Sequence, residues 1–183
     1  MGRVPMPKFS AKKIKDLFAK SDAAKTKVEK GKYLEDLAVY LFQMIPGISM
    51  TARDKKNTYD AEEIDVALWN EQHARGFKTL NFLILVECKN WSSPVGSMEV
   101  NWFLTKIKNR ALDFGILIAA NGITGSDEDK RQAHDVVSKS LAEGVRMVLL
   151  TRDEILALTD SDELVRTVKR KLCELIVSGT VWP

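Results

Sequence analysis

Two spacings of apolar residues alternate along the chain, and their order predicts the architecture. Ile14, Leu17 and Phe18 recur at helical spacing among lysines, which predicts a helix over about 10–20. A second helix, with Ser21 or Asp22 as its candidate cap, strengthens from Gly31. Its stripe is Leu34, Leu37, Ala38, Leu41 and Ile45, and Pro46-Gly47 ends it. Residues 48–54 predict a short strand, followed by a polar, turn-rich stretch to residue 60. Residues 63–70 and 82–90 predict two further strands joined through the polar loop 71–76. After a loop at 92–96, Ser97 is the expected cap of a helix to about 113, with Val100, Phe103, Leu104 and Ile107 inward. Residues 114–120 and 147–151 are buried-strand patterns. Between them lie a turn at 121–125 and a helix whose first turn, from Ser126 through Asp127, Glu128 and Asp129, is acidic, as a helix dipole favours. Two helices close the chain, the last carrying Leu164, Val168, Leu172, Leu175 and Ile176. A helix, a strand group and then alternating helix and strand imply an α/β fold with a mixed sheet between helices.

One strand breaks its own pattern. Phe82-Leu83-Ile84-Leu85-Val86 is apolar throughout, as a central strand should be, yet it runs into Glu87-Cys88-Lys89. Alternate strand residues share a face, so Glu87 and Lys89 point the same way. If the 63–70 and 82–90 strands pair symmetrically about Gly76, Asp65 stands opposite Glu87, with the carboxylates roughly 5 Å apart. Two hard carboxylates suit Mg²⁺, with the backbone carbonyl of Cys88 as a further candidate ligand. An ammonium beside them is placed to orient water and to offset charge on a phosphate. The same residues could instead form an ordinary ion pair at a strand end.

Composition narrows the class. The chain has 183 residues, 45% hydrophobic and 29% charged, which favours one soluble globular domain. Its start lacks the apolar stretch of a signal peptide, and no apolar run is long enough to span a bilayer, so a cytoplasmic, membrane-free protein is expected. Cys88 and Cys173 have no metal-site spacing and suit a reducing compartment. Residues 1–32 hold ten Lys/Arg against three Asp/Glu, a local charge of +7 that leaves −4 for the rest. A basic helical N-terminal extension over 1–30, attached to a single domain over 31–183, fits either a polyanion-binding arm or a solvated lysine-rich face. Arg53, Lys55 and Lys56 form a basic loop before Asp65, suited to phosphate contacts. Lys106 on the following helix is another candidate phosphate contact, and Trp91 could stack on a base or sugar. His73 and His134 are expected at the surface. The 121–125 turn lacks a Gly-Lys-Ser/Thr ending, which excludes a P-loop.

Asp65 with Glu87-x-Lys89 resembles the PD-(D/E)xK nuclease signature. Val86-Glu87-Cys88-Lys89-Asn90-Trp91 is similar to the Mrr-like restriction endonuclease branch. Gly31-Lys32-Tyr33-Leu34-Glu35 resembles that branch's first core helix, and Pro94-Val95-Gly96, the helix with Lys106 and the 114–125 segment follow in the expected order. The resemblance implies a restriction-endonuclease-like three-layer α/β/α core with a central mixed sheet and extra N- and C-terminal helices. It implies Mg²⁺-dependent endonucleolytic cleavage of DNA, with Mn²⁺ able to substitute. Asp65 and Glu87 would be metal ligands, Lys89 the catalytic lysine and Glu35 an accessory acid. Restriction or anti-phage defence is the implied setting, with a homodimer or a partner protein supplying target recognition. The family's glycine-rich turn before the aspartate is replaced here by Ala61-Glu62-Glu63-Ile64, and the proline of the signature is absent. The alternatives are a non-catalytic nucleic-acid-binding module of the same fold and a structure-specific resolvase or ribonuclease.

Overall fold

The computed structural model of the chain describes residues 6–56, 63–123 and 127–179, with no side chains described for 127–130. Glu62, Thr124, Gly125, Ser126 and the acidic side chains at 127–129 therefore lie outside the described residues.

Ser10 caps α1 (Ala11–Ala23), its hydroxyl accepting the Lys13 N–H at 3.2 Å. The second helix is not capped by Ser21 or Asp22, because α1 extends through both. Instead Thr26 and Glu29 form a reciprocal capping box at the start of α2 (Lys27–Gln43). Pro46 and Gly47, the latter at φ +79°, turn the chain into β1 (Ile48–Lys56). β1 runs further than the polar sequence suggests. Its partner β2 (Glu63–Asn70) supplies ladder bonds as far as Lys56–Glu63, with a bulge between Met50 and Ala52.

β3 (Leu83–Lys89) pairs antiparallel with β2. The register Val66–Val86 and Ala67–Leu85 is symmetric about Gly76. The connection is not a tight hairpin, however, but a folded excursion that packs on the α2–β1 corner. A Cβ on Gly76 would stand 2.5 Å from the Pro46 carbonyl oxygen, so close approach, and not turn geometry, requires glycine there. Asn70 fastens the excursion by donating from Nδ2 to the Phe77 and Asn81 carbonyls at 2.8 and 2.9 Å.

α3 (Ser97–Lys108) starts one residue earlier than expected, with Gly96 as its N-cap and its N–H on Glu99, and ends before residue 113. β4 (Phe114–Ala119), α4 (Asp127–Ala142) and β5 (Arg146–Leu150) follow. Thr151 caps α5 (Arg152–Ala157), and Asp160 caps α6 (Ser161–Ser178).

The sheet order is β1-β2-β3-β4-β5, antiparallel through β3 and parallel from β3 to β5. Its two faces carry separate apolar cores. One joins Ile84, Val86 and Cys88 to α1, α2 and α5, and the other joins Leu85 and Leu117 to α3 and α4. This is the three-layer α/β/α arrangement with a mixed sheet. The last helix supplies both cores, through Leu164 and Val168 to the first and Leu175 to the second, while Ile176 is exposed. The N-terminal segment is no detached arm, since Phe9, Ile14 and Phe18 are buried in the first core. No helix among the described residues is long and apolar enough to cross a membrane.

Candidate active site

The central strand β3 delivers the site at its C-terminal end, where parallel pairing with β4 runs on through Glu87, Cys88 and Lys89. The β2–β3 ladder ends at Val66–Val86, and the next positions along it are Asp65 and Glu87. The Asp65 Oδ2 accepts the Cys88 backbone N–H at 2.7 Å, which aims the carboxylate across the strand. Glu87 is buried and meets two ammonium groups: Lys89 Nζ at 2.6 Å from Oε1 and Lys106 Nζ at 2.7 Å from Oε2. Lys89 shares the Glu87 face, as alternation requires, and its side chain is 24% exposed.

A cleft of about 610 Å³ opens beside this strand end. Asp65, Cys88, Lys89 and Trp91 line it, facing Lys27, Lys30, Lys32 and Glu35 at the start of α2. Asn90, Ser92 and Ser93 continue the wall. The Trp91 ring centroid lies 6.0 Å from Lys89 Nζ, and the Trp91 carbonyl accepts the Asn121 side-chain amide. Asn90 ties the strand end to its surroundings. Its Nδ2 donates to Ser21 Oγ at 2.5 Å, and Ser21 donates to the Lys30 carbonyl at 2.7 Å. Arg152 completes the brace with two bonds to Asp22, at 2.6 and 2.7 Å.

The electrostatics follow from burial. Desolvation pushes the Asp65 carboxyl up to about 6, and the Glu87 charge adds to the push while Lys89 opposes it. Burial alone would lower the Lys89 ammonium, but Glu87 and Asp65 outweigh it and hold the group above its ordinary value. Lys89 is therefore a cation at neutral pH. Glu35 is pushed up to about 7, chiefly by burial, with Arg53 pulling down and Asp54 pushing up. Arg53 donates from Nε to Glu35 Oε2 at 2.7 Å, and also reaches Asp36 and the Lys32 carbonyl.

Two expectations need correction. Lys106 does not face phosphates; it is buried, with both Glu87 oxygens as partners at 2.7 and 2.9 Å. Arg53, Lys55 and Lys56 are not a loop. They lie on β1, where Arg53 turns inward to Glu35 and the two lysines are exposed on the strand, outside the cleft lining. His73 is exposed and His134 half-buried. Beside Lys89, the basic residues that line the cleft are Lys27, Lys30 and Lys32, which the sequence offers only as part of a basic segment over 1–32 and not as single positions. The signal was present in Thr26-x-x-Glu29, a capping box that starts α2 at Lys27 and, at i+4 spacing, sets Lys27, Gly31 and Glu35 on one helix face.

Among the described residues no three His, Cys, Asp or Glu side chains cluster as a self-sufficient metal cage. The donor set fits a hard divalent cation of the Mg²⁺ type nonetheless, since such ions keep several waters and take one or two carboxylates. Asp65 and Glu87, with the Cys88 carbonyl, are the residues that would hold it. The Asp65 carboxyl is raised chiefly by burial and then by the Glu87 charge, and a cation at the site would offset both.

A restriction endonuclease family model, of the Mrr catalytic type, matches residues 26–159, which spans α2 through β5 and reaches past α5. No curated protein matches the sequence. The matched segment is the one that builds the mixed sheet, its flanking helices and the Asp65–Glu87–Lys89 strand end, and so the chain belongs to the restriction endonuclease family, in the Mrr-like branch of the PD-(D/E)xK nucleases.

Proposed function

We propose that this nuclease domain is a Mg²⁺-dependent endodeoxyribonuclease that hydrolyses phosphodiester bonds of duplex DNA, with Mn²⁺ able to replace Mg²⁺. The observation that carries the reading is that Asp65 and Lys89 line a cleft whose opposite wall is basic, with Glu87 buried directly behind Lys89. Asp65 and Glu87 would hold the cation, with the Cys88 carbonyl as a third oxygen. When bound, the cation lowers the charge on the phosphate and makes nearby water more acidic. Lys89 presents a positive charge to the phosphate and to the attacking water, which stabilises charge that grows in the transition state. Glu35, poised near neutral pH, is the accessory acid that can take a proton from water on the α2 side. Lys27, Lys30 and Lys32 would grip the phosphate backbone without reading sequence. Trp91 would pack against a base or sugar. Lys55 and Lys56 extend the basic surface along β1.

Restriction or anti-phage defence is the biological setting we propose, with a second copy or partner protein supplying target recognition. A reducing, cytoplasmic location accords with two unpaired cysteines, Cys88 and Cys173.

The test uses supercoiled plasmid, linear duplex, branched DNA and RNA, each with Mg²⁺, Mn²⁺ or EDTA, beside Lys89→Ala. Metal-dependent DNA cleavage that disappears in the variant supports the proposal. Binding without cleavage of every substrate would identify a non-catalytic nucleic-acid-binding module. Cleavage confined to branched DNA or to RNA would identify a resolvase or a ribonuclease.

A further inference from the structure

Glu87 is held from two sides, and the two holders differ. Lys89 Nζ stands 2.6 Å from Oε1, on the cleft side, where it meets water. Lys106 Nζ stands 2.9 Å from Oε1 and 2.7 Å from Oε2, and its side chain is only 5% exposed. Val100, Phe103, Leu104 and Ile107 share the buried side of α3 with it. An ammonium drawn away from Glu87 there would be left buried without a counter-charge, a strongly unfavourable state. Lys89 has no such restraint, since water or a phosphate oxygen can replace Glu87 as its partner.

We propose that Lys106 is a positioning residue, a permanent counter-charge that fixes Glu87 and lets Lys89 leave it when a divalent cation is bound. The inference rests on the metal-dependent reading above. The same charge has a cost for cation affinity, because a second ammonium beside Asp65 and Glu87 repels a divalent ion. Removing it has two effects of opposite sign. The cation is held more tightly. Lys89, now the sole counter-charge of Glu87, stays paired with it and is less available to the phosphate. A residue that merely filled space under α3 would show neither the tighter binding nor the split between affinity and turnover.

Mn²⁺ titrated into DNA-free protein, with free ion followed by electron paramagnetic resonance, reads binding without turnover. Lys106→Gln keeps N–H donors toward Glu87 and removes the charge; Lys106→Arg keeps the charge. Lys106→Gln is expected to bind Mn²⁺ about tenfold more tightly. Its kcat on plasmid should fall roughly a hundredfold with KM for DNA unchanged. Lys106→Arg should return both values toward wild type. If Lys106→Gln does not fold by circular dichroism, Lys106→Met, which suits the apolar surroundings, carries the same expectation. Unchanged or weaker Mn²⁺ binding in a folded, uncharged variant overturns the proposal and leaves the metal reading standing. No Mn²⁺ binding by the wild-type protein overturns both.

Discussion

Asp65 sits where its charge is least welcome, and its titration records this. With the carboxyl raised from 3.8 to about 6, the native state keeps a proton that the unfolded chain releases. The metal-free fold therefore loses stability as pH rises from about 4 through 6, by on the order of 3 kcal/mol. Asp65→Asn can still accept the Cys88 N–H, so it should raise the melting temperature of metal-free protein at pH 8 while abolishing cleavage. Cation binding has the opposite slope and strengthens from pH 5.5 to 7.5 as Asp65 and Glu35 ionise, which calorimetric Mg²⁺ titrations at several pH values would check. Lys89→Ala should reduce cleavage by about 10²–10⁴-fold and leave duplex binding within a few fold, as read by fluorescence anisotropy. Asp65, Glu87 and Lys89 were legible in the sequence because strand alternation and a symmetric register are one-dimensional rules. The inward placements of Lys106 and Arg53 were not. Charged residues are ordinarily read as solvent-facing, and whether a lysine on α3 reaches into the sheet depends on how the helix is rotated against it.

Elements carry the next layer. α2 brings a basic wall and an acid to one cleft, and its position begins with the Thr26–Glu29 box. Thr26→Ala should cost about 1 kcal/mol in denaturant unfolding. It should also weaken DNA binding, because fraying starts at Lys27. Alanine at Lys27, Lys30 or Lys32 should weaken binding to all duplex sequences alike, each lowering the slope of log K against log salt by about 1. β1 was read too short because local composition resembles a loop, whereas pairing with β2 overrides it. α3 also depends on a missing side chain. A Cβ at Gly115 would meet Phe103 Cζ at 2.7 Å and Ile107 Cδ1 at 2.6 Å, so a bare backbone on β4 lets α3 settle close enough for Lys106 to reach Glu87.

At the scale of the whole molecule, the basic segment from Phe9 to Phe18 is built into the core and is not an appendage. Phe9, Ile14 and Phe18 are buried, and at ~1.5–3 kcal/mol for each buried side chain their loss rivals the stability of a typical domain. Deleting residues 1–24 should therefore unfold the protein by circular dichroism, and not merely weaken its grip on DNA. The layered α/β order was legible because helical and strand periods alternate cleanly. The anchoring of α1 was not, since three apolar residues among lysines look alike whether they meet a core or a partner. Cys88 gives this architecture a chemical clock. Its thiol is buried beneath α2, and burial pushes it well above its ordinary value, whereas Cys173 is exposed. A mild thiol reagent should label Cys173 at once and Cys88 only when the central strand opens. The slow phase would time the opening of the strand that carries Glu87 and Lys89, and a bound divalent cation should lengthen it.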